Sequence, residues 1–138
     1  MVRELIHDPI LLAKKSIPAT KDDISIAHDL LDTLTAHKDE CVGMAANMIG
    51  ETKCIICFDC DGKYMTMFNP EIIKCESPYN TEEACLSLLG GKRPVKRYKK
   101  IKVRYETEDF CGFRIKTFEG FTAQIIQHEH DHCNGILI

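Results

Sequence analysis

Apolar positions along the chain fall into two periods. Ala27, Leu30, Leu31 and Leu34 recur at helical spacing, so residues 21–37 read as a helix with one buried face. Its start is marked by Thr20, a capping residue, and by Asp23 three positions later, an acidic capping box that also suits the helix dipole. Residues 53–60 and 63–68 are apolar and strand-like, and Asp61-Gly62 between them is a two-residue hairpin signal. Asn69-Pro70 is expected to end the second strand. Ile101, Val103 and Tyr105 alternate along a strand over residues 101–107, and Phe113, Ile115 and Thr117 mark another beyond a loop at Gly112. Gly120 precedes a helix over residues 121–133, with Ile125 and Ile126 on its early turns. The expected class is α+β: mainly antiparallel strands packed on a central late helix, with an early helix beside them.

Composition narrows the class without changing it. A chain of 138 residues, 44% hydrophobic and 28% charged, is sized for one compact domain over residues 1–138. A net charge of −3 gives no global sign of nucleic-acid binding, and no apolar run approaches the roughly 20 residues of a membrane span. The N-terminus is polar within its first few residues and has no apolar signal-peptide core, so a cytoplasmic protein is expected. Eight cysteines in that compartment favour free thiols, or a metal ligand, over disulfides.

The late helix carries the chemistry. His128-Glu129-His130-Asp131-His132 contains H-E-x-x-H, and four-residue spacing puts both imidazoles on one helix face. Two neutral imidazoles there can clamp a divalent metal, and Glu129 between them can move protons. The competing reading, a solvated charged helix end, is the more ordinary one. A catalytic metal also needs a third protein ligand and an open position. Cys54, Cys57 and Cys60 form C-x-x-C-x-x-C, but on a strand Cys54 and Cys57 point to opposite faces, which favours sheet-core thiols over a cluster. His28 and His37 match no ligand pattern.

Three segments together resemble the peptide deformylases. Cys41-Val42-Gly43-Met44-Ala45-Ala46-Asn47-Met48 is similar to that family's G-φ-G-φ-A-A-x-Q, with φ apolar. Glu83-Ala84-Cys85-Leu86-Ser87 is similar to E-G-C-L-S, and Gln127-His128-Glu129-His130-Asp131-His132-Cys133-Asn134-Gly135 matches Q-H-E-x-D-H-x-x-G at every defined position. The motifs stand in family order and the resemblance covers essentially the whole chain. It implies a peptide-deformylase-like fold and a hydrolase that removes the formyl group from N-formyl-methionyl nascent peptides. It makes Cys85, His128 and His132 the ligands of one divalent metal per chain, ferrous iron in the first place, with zinc, nickel or cobalt as substitutes. Glu129 becomes the general base and acid, and the backbone N–H of Leu86 an oxyanion donor. Val42 and Gly43 fall in a segment extended beside the peptide, Gln127 and Asp131 orient the ligands, and Arg97 pairs with Glu83.

The chain also departs from the pattern. Met48 stands where the family's oxyanion glutamine is expected, and a thioether cannot donate a hydrogen bond. Losing one such donor costs about 10²–10³ in rate, so a slowed enzyme is expected. Asn47 carries an amide, but neighbours in extended chain point apart. Cys41 and Ala84 replace glycines. The alternative on these grounds is a catalytically weak paralogue that binds formylated or modified N-termini. Lys92-Arg-Pro-Val-Lys-Arg-Tyr-Lys-Lys100 holds six basic residues in nine, and reads as a solvated loop and strand edge before a site for transient ribosome association. Longer bacterial members continue past the point where this chain stops at Ile138, into a helix that can serve as a ribosome dock.

Overall fold

The computed structural model describes residues 1–138, the side chain of Leu89 excepted. Five strands, β1 (Gly43–Ala45), β2 (Ile55–Cys60), β3 (Lys63–Cys85), β4 (Leu88–Glu106) and β5 (Phe113–Glu119), form an antiparallel sheet in sequence order. Three helices accompany it: α1 (Pro9–Leu12), α2 (Ile24–Ala36) and α3 (Gly120–Cys133). The arrangement is the expected α+β class, with α3 against the sheet.

Period two along β2 divides the core. Ile56 and Phe58 join Ala123, Ile125 and Ile126 of α3 on one face of the sheet. Ile55 and Cys57 join Ala27, Leu30 and Leu34 of α2 on the other. Cys54 packs with the α3 cluster and Cys57 with the α2 cluster, so the two thiols do face opposite ways.

The capping box at Thr20 forms, with Thr20 N–H donating to Asp23 Oδ2 at 2.8 Å, but it starts a 3-10 turn over Lys21–Asp23 before α2 begins. The Asp61-Gly62 hairpin forms as well. Both residues have positive φ, 53° and 91°, which is what a tight turn between twisted strands requires.

Two strand boundaries differ from expectation. Asn69-Pro70 does not end β3, which runs on to Cys85. The ladder instead shifts register between Phe68 and Glu71, with Asn69 at φ 53°, so Pro70 sits in an irregularity where no ladder N–H is required. β4 begins at Leu88 rather than at 101, so the basic run lies on a strand and not on a loop, and before Lys100 that strand is an edge, paired with β3 alone. Its lysines project outward from a backbone that β3 pairs on one side. The short α1, capped by Asp8 accepting from Ile10 N–H, carried too weak a pattern to be read in advance.

Candidate active site

Helix α3 buries a polar stripe. Gln127, His128, Glu129 and His132 are each 4–8% exposed, where ordinary helices put apolar side chains. Burial of that kind is costly unless the groups are partnered, and their partners define the site.

The hairpin joining β3 to β4 brings Cys85 against this stripe. Cys85 pairs with Leu88, so Leu86 and Ser87 are the corners of a two-residue turn. The N–H of a first corner residue is not used by the turn itself, which leaves that of Leu86 available beside the thiol. The ligand atoms of Cys85, His128 and His132 all lie within 4.8 Å of one another.

Each imidazole has one nitrogen engaged away from the cluster. His128 Nδ1 donates to Glu83 Oε1 at 2.7 Å, and His132 Nε2 meets the main-chain oxygen of Ile138 at 3.1 Å. That fixes the rings and leaves one nitrogen of each for the cluster. His132 Nδ1 is buried without a hydrogen-bond partner, as is Glu129 Oε1, the two standing 3.3 Å apart in poor alignment for a bond.

Opposite charges favour one another in the cluster. Burial pushes the Cys85 thiol up, but bonds from His128 and His132 outweigh it and bring it down to about 7. Burial would discharge the imidazoles, yet Cys85 and Glu83 hold His128 up at about 9, and Cys85 and Glu129 hold His132 up at about 11. A thiolate and a carboxylate in one buried pocket demand positive charge, which a divalent cation supplies as readily as protons do. A sulfur and two imidazole nitrogens, with orphaned buried atoms between them, fit such an ion and leave a coordination position open.

Glu83 is held in turn. Arg97 Nε and Nη2 reach it at 2.6–3.1 Å, Gln124 Nε2 donates to its Oε2 at 2.9 Å, and Arg97 Nη1 bonds Asp131 Oδ2 at 2.7 Å. These donors and His128 overcome burial and hold the Glu83 carboxyl down at about 2. Gln127 has another place: its amide accepts from Tyr98 N–H at 2.9 Å and donates to Tyr98 C=O at 2.8 Å, tying α3 to β4. Its hydrogen bonds go to Tyr98 and Ala123 and not to either imidazole.

A cleft of about 530 Å³ opens beside the cluster, walled by Val42, Gly43, Met48, Leu86, Gln124, His128 and Glu129. β1 covers only Gly43–Ala45 of the segment expected to be extended there, and Val42 at its entry is exposed. Gly43 faces α3 so closely that a Cβ would stand 2.8 Å from Ile125 Cγ2 and 3.0 Å from Glu129 Oε2. Met48 lies in a 3-10 turn over Ala46–Ile49 and is 1% exposed. Asn47 points elsewhere, donating to the carbonyls of Leu12 and His132 at 3.3 and 3.0 Å. The turn, not an extended chain, separates the two side chains.

Gln124 and Phe121 were missed in the sequence. Gln124 stands four residues before His128, a spacing that places both on one face, and that was the available signal. Phe121 lines the cleft mouth while 63% exposed, and a lone aromatic at a helix start gives no such signal.

Residues 4–138 match the Polypeptide deformylase family. A peptide deformylase from Clostridium beijerinckii is 48% identical over the full length of both chains. The crystal structure of the Thermotoga maritima peptide deformylase superposes with a TM-score of 0.88 at 27% identity, covering 99% of this chain and 95% of that one. A class I type b peptide deformylase from Acinetobacter baumannii, crystallised with Met-Ala-Ser bound, gives 0.87 at 27% identity and covers 99% and 97%.

Proposed function

The chain belongs to the peptide deformylase family, and from that premise we propose that the cleft beside Cys85, His128 and His132 deformylates N-formyl-methionyl nascent peptides. The products are formate and a free amino terminus. The observation that carries the assignment of residues is the cluster itself: three ligand atoms within 4.8 Å of one another, beside a buried carboxylate and an open cleft.

Cys85, His128 and His132 would hold one divalent metal, which supplies Lewis acidity and activates water near neutral pH. We assign ferrous iron as the native ion, with zinc, nickel or cobalt able to replace it, since sulfur-imidazole ligation suits all four. Glu129, buried at the cleft floor, takes a proton from the attacking water and returns it to the departing amine. The Leu86 N–H faces the developing negative charge on the formyl oxygen. Val42 and Gly43 flank the peptide along the cleft wall. Glu83, Arg97 and Asp131 hold His128 in orientation through the bonds described above, and Gln127 keeps α3 seated on β4. Met-Ala-Ser bound to the Acinetobacter relative supports a methionine-first peptide as the occupant.

Residues 1–138 are taken as one domain, since a single sheet joins both core clusters. A cytoplasmic setting is part of the proposal: the substrates are nascent chains, and no helix is long and apolar enough to cross a membrane. Transient ribosome association rests on the exposed Lys92, Lys96, Lys99 and Lys100 of β4. No specific nucleic-acid sequence is read.

Met48 sets the level of activity. Its thioether lines the cleft where the family's amide donor is expected, and Asn47 is bonded to two carbonyls and does not substitute. The test is formate release from formyl-Met-Ala-Ser by anaerobically purified, iron-loaded protein. Wild type turns over, and Met48→Gln raises kcat by at least about tenfold, toward the 10²–10³ that one oxyanion donor contributes. No formate from the loaded wild type defeats the assignment, and a Met48→Gln variant no faster than wild type defeats the role given to Met48.

A further inference from the structure

Glu83 presents a carboxylate whose acceptor positions are all taken. An ionised carboxylate offers about four lone-pair positions. Oε1 accepts from Arg97 Nη2 at 2.6 Å and His128 Nδ1 at 2.7 Å, and Oε2 accepts from Arg97 Nε at 2.9 Å and Gln124 Nε2 at 2.9 Å. Arg97 comes from β4, whereas Gln124 and His128 sit one turn apart on α3. The carboxylate therefore bridges a helical turn, one oxygen on each of two α3 donors, with the guanidinium closing the far side.

We infer that Gln124 is a positioning residue for the metal ligand His128, acting through the Glu83 carboxylate that they share. The geometry separates its part from that of Arg97. The guanidinium grips both oxygens from β4, and its fork sets the carboxylate plane on that side. Gln124 adds the restraint from α3, holding Oε2 one turn away from His128 while Oε1 meets His128 Nδ1. With His128 Nδ1–H committed to Glu83, its other nitrogen carries the lone pair that a cation needs. Without the Gln124 donor, Oε2 faces the cleft with one position open to water, and the aim of Oε1 is looser.

Gln124 also lines the cleft, so a loss of activity alone would not separate positioning from substrate contact. This inference rests on the proposed metal site, and its test is made without substrate. Metal-free protein is titrated with Co²⁺, followed by the thiolate-to-cobalt charge-transfer band, for wild type, Gln124→Met, Glu83→Gln and the double variant. Methionine keeps the length of glutamine and removes the donor.

Gln124→Met is expected to weaken Co²⁺ binding about tenfold, the lower end of the range for groups that orient a metal-bound histidine, since Arg97 still holds Glu83. In the Glu83→Gln background the same change is expected to add less than about twofold, because the path it acts through is gone. Unchanged affinity in Gln124→Met overturns the inference. So does a tenfold loss that persists undiminished in the Glu83→Gln background, which would place the effect elsewhere. Should Glu83→Gln fail to fold, the His128 Nδ1–H proton resonance of metal-free Gln124→Met decides. A wild-type resonance overturns the inference, and a shifted or exchange-broadened one supports it. A wild type that binds no Co²⁺ defeats the metal site itself, a failure distinct from either result.

Discussion

Arg97 Nη2 lies 2.6 Å from Glu83 Oε1, and both side chains are under 10% exposed. The pair is the hub through which β3, β4 and α3 meet: the same guanidinium reaches Asp131, and the same carboxylate reaches His128. Stripping one partner from a buried ion pair strands a charge and costs about 3–5 kcal/mol. Arg97→Met is therefore expected to be destabilised by that amount in urea unfolding, with Glu83 pushed back toward protonation. A loss below about 1 kcal/mol, the scale of an exposed pair, would show that the hub is not structural.

Gly43 is required by closeness and not by its dihedral angles. The methyl of Gly43→Ala would press on Ile125 Cγ2 and on the Glu129 carboxylate. Overpacking costs about 1–3 kcal/mol, but displacement of a proton-transferring group by an ångström costs up to about 10² in rate. A fall in kcat of at least about tenfold is expected, with metal content unchanged. Wild-type kcat in a folded Gly43→Ala protein would show that Glu129 does not depend on this contact.

Cys85 is the proposed thiolate ligand, and the nearby Cys41 does not duplicate it: Cys41 donates its thiol to Gly43 C=O at 2.8 Å and burial pushes it up to about 12. Cys85→Ser replaces a thiolate donor with a hydroxyl that stays protonated. Metal content, read by elemental analysis after desalting, should fall from about one ion per chain to a small fraction of that, with circular dichroism retained. Stoichiometric metal in Cys85→Ser would remove Cys85 from the ligand set.

Acid should loosen the same region first. Glu83 is held down at about 2 in the fold, below its ordinary 4.5, because His128, Arg97 and Gln124 outweigh burial. Its folded value is depressed, so its stabilising contribution is complete above about 4.5 and declines as pH falls from there toward 2. Urea midpoints of metal-free protein measured between those limits should drop for wild type and drop less for Glu83→Gln. Parallel curves for the two proteins would assign acid sensitivity to other carboxylates.

Much of the site was legible because its chemistry is local in sequence. His128, Glu129 and His132 share one helix face by spacing alone, and Thr20 with Asp23 announced a capped turn that forms. Strand limits were less legible. Asn69-Pro70 and the lysine-rich run look like interruptions, yet β3 absorbs the proline in a register shift, and β4 carries the lysines on a backbone paired with β3. Turn chemistry and polarity are local signals, and pairing with a neighbouring strand overrides both.

Residue order alone settled which groups can do chemistry here: a soft donor at Cys85, two imidazoles and a carboxylate on a helical period, and at position 48 a side chain unable to donate. Folding settled how they are held. Gln124 meets Glu83 across 41 residues, Arg97 meets Asp131 across 34, and the His132 ring finds a main-chain oxygen of Ile138. Spacing along one helix follows from backbone geometry and can be read directly. Contacts between a hairpin, a central strand and a helix depend on how the sheet packs, which no local pattern encodes.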